Sequence, residues 1–206
     1  MRIGFDLDET LAPFMPHLIT YLHRQGINVP SYEETFSFNL WEVWGCTPEE
    51  SRRRVFDFFH SPDFSELRTY PDVSPLLAHL FRQGHEHHAI TARPDSMWER
   101  TDAFFRNHLP NLFSGVHLTG QYSPTPSATS KSRTKGVLSC ELGLDLFVED
   151  SLHHATEVAS KGVSRVFLMT RPWNQGHVVP EGVSRISSLG EICSYVESYK
   201  NARGNH

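Results

Sequence analysis

Cysteine is scarce in this chain: Cys46, Cys140 and Cys193 are widely separated, odd in number, and form no CxxC pair. That excludes a disulfide framework and a thiolate zinc site, and it suits a reducing compartment. Positive charge is also short. The 206 residues carry a formal net charge of −5, so no broad cationic face for a nucleic-acid polymer is expected, although one phosphate needs only a local positive site. No apolar run reaches the roughly 18 residues of a membrane-spanning helix. The chain opens into a strand-like run with acidic residues by position 6, not into a signal peptide. A cytoplasmic protein with no membrane partner is the expectation, its oligomeric state left open. No internal repeat is found. Hydrophobic residues at 38% and charged residues at 21% describe a globular domain with a buried core.

Short apolar runs alternate with helical stretches, which predicts βα units and a mainly parallel sheet with helices on both faces. Strands are expected at 2–7, 88–91, 115–119, 144–148 and 163–169. Helices are expected at 14–25, from Thr47, from Ser74 to Gly84, from Ser96 to Leu109, at 136–142, from Ser151 to Gly162, and at 189–199. Thr47-Pro48-Glu49-Glu50 has the form of a capping box with Pro in the first turn, and the helix it opens should bury Val55, Phe56 and Phe59. The aromatic-rich stretch 27–72 interrupts the βα rhythm and reads as a small helical cap over a core domain formed by 1–26 and 73–200. Residues 121–134, rich in Pro, Ser and Thr, read as a mobile loop, and 201–206 as a frayed tail.

Four groups of residues carry chemistry. Asp6-Leu7-Asp8-Glu9-Thr10 follows the first strand, where open α/β sheets hold their ligands. Asp6 suits a nucleophile that forms an aspartyl-phosphate, and Asp8 an acid/base that protonates the leaving oxygen and then activates water. Two carboxylates beside a phosphate dianion repel one another, so a divalent cation is expected, and all-oxygen ligands point to Mg²⁺. Thr91, Ala92 and Arg93 follow the second strand, where a hydroxyl and free N–H groups ahead of a helix can hold phosphate oxygens. Arg93 either reaches the phosphate or pairs with an acid. Lys135 precedes the helix expected at 136–142, which leads into the fourth strand, and can bridge nucleophile and phosphate, with Lys131 and Arg133 as competitors. Glu149-Asp150 ends the fourth strand and offers an outer metal ligand, or alternatively a helix cap.

Taken in order, Asp6-x-Asp8-x-Thr10, Thr91, Lys135 and Glu149-Asp150 resemble the four motifs of the haloacid-dehalogenase-like hydrolase superfamily, over positions 6 to about 174. The resemblance implies a Rossmann-like α/β core. It implies that Asp6 and Asp150 bind Mg²⁺ by side chain and Asp8 by its carbonyl oxygen, and it favours Lys135 over Lys131. An Asp at the position of Asp8 is the phosphatase and phosphomutase form, while Glu149 departs from the commonest fourth motif. Within the superfamily the chain looks most like the 5′(3′)-deoxyribonucleotidase group, through Asp6 to Ala12, Phe64 ahead of Pro71, and Leu168-Met169-Thr170-Arg171-Pro172-Trp173-Asn174. That likeness implies a phosphomonoesterase acting on nucleoside monophosphates. The alternatives are a phosphatase or phosphotransferase for another small phosphate ester and, from a different class, an idle binding module, against which the intact Asp6/Asp8 pair argues.

Phe36, Phe38, Trp41, Trp44 and Phe64 are the cap aromatics able to stack on a base. Most are expected to pack the lobe's own core, with Phe64 the first choice for a substrate contact. His85, His87, His88, His153 and His154 are expected at surfaces and edges, and Trp98 and Trp173 in the core.

Overall fold

Strand β1 (Arg2–Phe5) lies at the centre of a six-stranded sheet in the computed structural model, which describes residues 1–122 and 133–203. Most of the segment expected as a loop, including Lys131, lies outside the described residues, as do the last three residues. After β1 come helices α1 (Phe14–Arg24), α2 (Leu40–Trp44), α3 (Pro48–His60) and α4 (Val73–Arg82), then strand β2 (Glu86–Thr91). Helix α5 (Trp98–His108), strand β3 (Gly115–Leu118), helix α6 (Lys135–Glu141) and strand β4 (Leu146–Glu149) follow. Helix α7 (Leu152–Ser160), strands β5 (Arg165–Met169) and β6 (Val183–Ile186), and helix α8 (Gly190–Arg203) complete the order. The sheet order is β3-β2-β1-β4-β5-β6 and every pair is parallel. Strand order reverses at β1, whose neighbours are β2 and β4, and that is the place where open α/β sheets form a crevice. The fold is Rossmann-like α/β, as expected.

Alternating side chains divide the interior into two layers. Ile3, Phe5, Leu146, Val148, Phe167 and Met169 face a larger core that includes Leu77, Phe105 and Ile192. Ile90, Phe147, Val166 and Leu168 face a smaller one with Leu138 and Val158. Gly4 allows this packing, because a Cβ there would lie 2.3 Å from Phe147 Cδ2 and 2.5 Å from Leu144 Cδ1.

Helix α3 is capped by Thr47, whose Oγ1 accepts from the Glu50 N–H. Its buried side is Ser51, Val55, Phe58 and Phe59. Phe56 sits 100° away from Val55 around the helix and is only half-buried, stacked on His60. Phe58 and Phe59 meet Phe14 of α1 and Phe64, which lies in the 3-10 turn Asp63–Glu66. These rings seat the segment 27–72 on the first helix.

Several expectations are corrected. Strand β6 went unread: it is four residues long, between the turn ending at Gly182 and Ser187-Ser188, and only Val183 and Ile186 are buried. Helix α4 starts one residue before Ser74, and α5 starts at Trp98, two residues after Ser96, following a 3-10 turn, Asp95–Met97. Trp98 is 48% exposed, because the face of α5 that meets the core is Thr101, Phe104 and Phe105. His85, His87, His88 and His154 are buried, since β2 is covered on both faces and His154 turns inward on α7. Helix α8 extends to Arg203, three residues into the stretch expected to fray.

Candidate active site

The C-terminal ends of β1, β2 and β4 and the start of α6 open into one cleft of about 700 Å³. Asp6, Asp8, Thr91, Ala92, Arg93, Lys135, Glu149 and Asp150 all line it. Six of the eight are at most 4% exposed.

The floor is a charged cluster. Thr134 caps α6 by accepting from the Val137 N–H, and this aims the first residue of the helix, Lys135, at the sheet. Its Nζ lies 2.7 Å from Asp6 Oδ1 and 2.8 Å from Glu149 Oε2. The other Glu149 oxygen accepts from the N–H groups of Asp150 and Ser151. The motif departure at Glu149 thus has a structural consequence: its longer side chain reaches the lysine. Asp150 accepts from Trp173 Nε1 at its Oδ2, 3.1 Å away. Asn174 Nδ2 donates to the Asp150 carbonyl at 2.7 Å and to the Met169 carbonyl at 2.8 Å.

Three buried carboxylates face one lysine, and the excess negative charge is felt. Burial pushes the Asp6 carboxyl up to about 7 against the pull of Lys135, with Glu149 and Asp8 adding to the rise. Asp150 is held well above the usual range by burial and by its neighbours Glu149 and Asp6. Burial would raise Glu149 too, but Lys135 outweighs it and leaves that acid low. The same acids overcome the desolvation of Lys135 and raise it. One oxygen from each of Asp6, Glu149 and Asp150 falls within 4.8 Å of the others. An all-oxygen, over-negative donor set of this kind fits a hard divalent cation.

Asp8 has a different partner. Arg93, 1% exposed, grips it bidentately, Nε to Oδ2 at 2.9 Å and Nη2 to Oδ1 at 2.6 Å. The guanidinium also donates to Thr101 and sits 4.8 Å from the Phe64 ring centre. Of the two roles open to Arg93 in the sequence, this conformation shows the pairing with an acid. Thr91 Oγ1 accepts from the Arg93 N–H at 3.4 Å.

Phe64, the expected base contact, does not line the cleft. It is buried behind Phe59 and Arg93, closing the far side of the Arg93 guanidinium. The aromatic lining comes from Phe14, Phe38, Phe59, Tyr122 and Trp173, with Leu40 and Val55 beside them. Phe38 is 46% exposed at the mouth, edge-on to His154.

Glu9 was passed over as the variable position of the first motif. It has a left-handed backbone, φ 61°, a strained conformation for a residue with a side chain. Its carboxylate accepts from the Met15 N–H and from the hydroxyls of Tyr32 and Tyr70. Arg171 donates to its carbonyl oxygen. The loop carrying Asp6 and Asp8 is therefore tied to both ends of the segment 27–72. A glutamate three residues past the first acid carries no sequence signal for this.

Comparison with known proteins bears on this geometry. Residues 1–119 match the family model described as 5′ nucleotidase, deoxy (pyrimidine), cytosolic type C protein. A provisionally named nucleotidase of Bacillus cereus is 24% identical over 201 residues, covering 93% of this chain and 97% of that protein. Another from Oceanobacillus iheyensis is 28% identical over 118 residues, 55% of this chain and 63% of that protein. Among solved structures, a haloacid dehalogenase-like family hydrolase from Streptococcus pneumoniae superposes with a TM-score of 0.66 at 15% identity, covering 95% of this chain and 97% of that one. The family match spans more than half the chain and includes Asp6, Asp8 and Thr91. The chain belongs to the 5′ nucleotidase, deoxy (pyrimidine), cytosolic type C family, and is a phosphatase of haloacid-dehalogenase-like fold.

Proposed function

We propose that the protein is a Mg²⁺-dependent phosphomonoesterase for nucleoside monophosphates, working through a phosphoryl group carried on Asp6. The observation that carries this reading is the ion pair of Asp6 with Lys135 at the floor of a cleft whose upper wall is aromatic. Asp6 and Asp150 would hold the metal by side chain and Asp8 by its carbonyl oxygen, since the Asp8 carboxylate is engaged by Arg93. Bound Mg²⁺ supplies the positive charge that keeps Asp6 ionised and offsets the phosphate.

Asp6 attacks phosphorus, and the bond from phosphorus to the ester oxygen breaks as the new one forms. Asp8 gives a proton to that departing oxygen, then takes one from the water that attacks the aspartyl-phosphate, which returns Asp6 and releases inorganic phosphate. For this, one of the two Arg93 hydrogen bonds to Asp8 must yield. Thr91 and the N–H of Ala92 hold the phosphate oxygens, and Lys135 neutralises charge between Asp6 and the phosphate. Glu149 keeps Lys135 in place. Phe38 at the mouth and Phe59 on the wall are the surfaces against which a base would stack.

The test is phosphate release from a panel of nucleoside monophosphates, sugar phosphates and p-nitrophenyl phosphate with and without Mg²⁺. Turnover is expected only with the metal and fastest on deoxyribonucleotides. A protein that prefers sugar phosphates over every nucleotide contradicts the substrate class, and turnover undiminished in EDTA contradicts the metal.

A further inference from the structure

Away from the cleft, β2 and β3 bring two imidazoles together on one face of the sheet. His88 is paired with Gly115, and Ile90 with His117. His88 and His117 are therefore diagonal neighbours on the same face, a separation that ring side chains can bridge. Their ring centroids are 5.7 Å apart. Gly115 lets both rings close over it: a Cβ on Gly115 would lie 2.7 Å from His117 Nε2 and 3.2 Å from His88 Nδ1, so the two nitrogens converge beside the same backbone atom. Both nitrogens are shut off from solvent, and neither has a hydrogen-bond partner among the described residues. Stranding a buried polar atom in this way is costly, and His88 as a whole is only 7% exposed.

The outer edge of His88 is already committed. Its Nε2 lies 3.1 Å from Glu86 Oε1, and the other Glu86 oxygen accepts from Arg2. A carboxylate only accepts, so Nε2 carries the proton, and in the neutral ring Nδ1 is left with a free lone pair. His117 is held below the ordinary histidine range chiefly by burial, with Arg133 adding to it, which keeps its ring neutral near pH 7.

We propose that His88 Nδ1 and His117 Nε2 form a two-histidine site for a divalent transition ion, zinc foremost, held between the two rings, with Glu86 orienting His88 from behind. A carboxylate that fixes one ring nitrogen while the other faces the ion is the usual support of a metal-binding histidine. Imidazole pairs favour zinc, copper or nickel over Mg²⁺, so this ion differs in kind from the one assigned to the acids of the cleft. His117 is half-buried, so the ion and the water that completes its coordination enter from that side as its ring turns. Arg133 opposes the added charge and keeps affinity modest. The ion would fasten the edge strand β3 to β2, the strand that ends at Thr91.

The experiment is zinc titration of the full-length, Mg²⁺-saturated protein by calorimetry, together with the ¹⁵N shifts of the histidine rings. Wild type should bind zinc with large shifts at His88 Nδ1 and His117 Nε2. His88→Ala and His117→Ala should each weaken that event at least tenfold, and Glu86→Gln by about tenfold. Gly115→Ala sets a methyl group against both ring nitrogens without altering a ligand, so it should abolish the zinc-induced shifts, and the melting temperature of the zinc-free variant checks that the fold is kept. His153→Ala, at an exposed histidine, should change nothing. Zinc affinity unaltered by Gly115→Ala and His88→Ala, or zinc bound with both ring nitrogens unmoved, overturns the site.

Discussion

Two surfaces meet in the cleft, and they are held in different ways. The floor, made of Asp6, Lys135, Glu149 and Asp150, stands on strand ends and a helix start of the sheet; all four are buried and each is fixed by a named ionic or hydrogen-bond partner. The wall contributed by the segment 27–72 includes Phe38, Leu40, Val55 and Phe59; Phe59 packs on Phe14 of α1, while Phe38 is half in solvent and edge-on to His154. A charged floor is intolerant of displacement, because a buried charge without its partner is strongly destabilising. An apolar wall changes shape at much smaller cost. Under the proposed function the difference says where to look for each property: chemistry on the sheet, substrate choice on the segment 27–72.

The sharpest way to separate them is Lys135→Met. It should destabilise the fold by about 3–5 kcal/mol, since Asp6 and Glu149 lose a shared buried partner, and phosphate release should fall with it. Chemical denaturation reads the first effect; a loss no larger than that of a surface substitution would mean that the floor is not the rigid element. Phe38→Ala is the matching change on the wall. It should leave stability within about 0.5 kcal/mol and raise KM for nucleoside monophosphates by about fivefold, near the lower limit for one stacked base. KM for p-nitrophenyl phosphate should stay unchanged, and an equal rise for both substrates would remove the ring from substrate choice.

How far each surface was legible in the sequence follows from the same contrast. Asp6, Thr91, Lys135 and Asp150 could be grouped because a parallel βα sheet delivers its strand ends to one edge whatever the loops do. Lys135 stood out from Lys131 and Arg133 only through the family resemblance; the geometric reason is the Thr134 cap, which turns the first helical residue inward. The wall was harder. Phe38, Phe59 and Phe64 are alike as residue types, and only the packing of the segment 27–72 decides that Phe59 faces the cleft while Phe64 lies behind it. Burial of His87 and His88 was missed because a polar residue type argues for the surface, whereas β2 is an interior strand covered on both faces. The Asp8–Arg93 grip was visible only as one of two options, since it joins positions 85 apart.

The smallest effect concerns charge on the floor itself. Burial raises the Asp6 carboxyl from 3.8 to about 7 in the folded chain. Between those values the unfolded chain has lost this proton and the folded chain still holds it, so rising pH favours unfolding across that window. Asp6→Asn removes the effect. In EDTA the melting temperature of the variant minus that of the wild type should therefore grow from pH 4 to pH 7, and saturating Mg²⁺ should shrink the difference. A difference that stays flat with pH in EDTA would show that the floor is less charge-strained than the wall comparison requires.

The most direct test is chemical trapping of the phosphorylated carboxylate. Wild-type protein mixed with substrate and Mg²⁺, quenched in acid within one turnover and reduced with borohydride, should yield a peptide in which residue 6 has become homoserine. The same treatment without substrate should leave aspartate there. Phosphate released in that turnover with position 6 unmodified, or modified at Asp8 instead, would contradict the central claim.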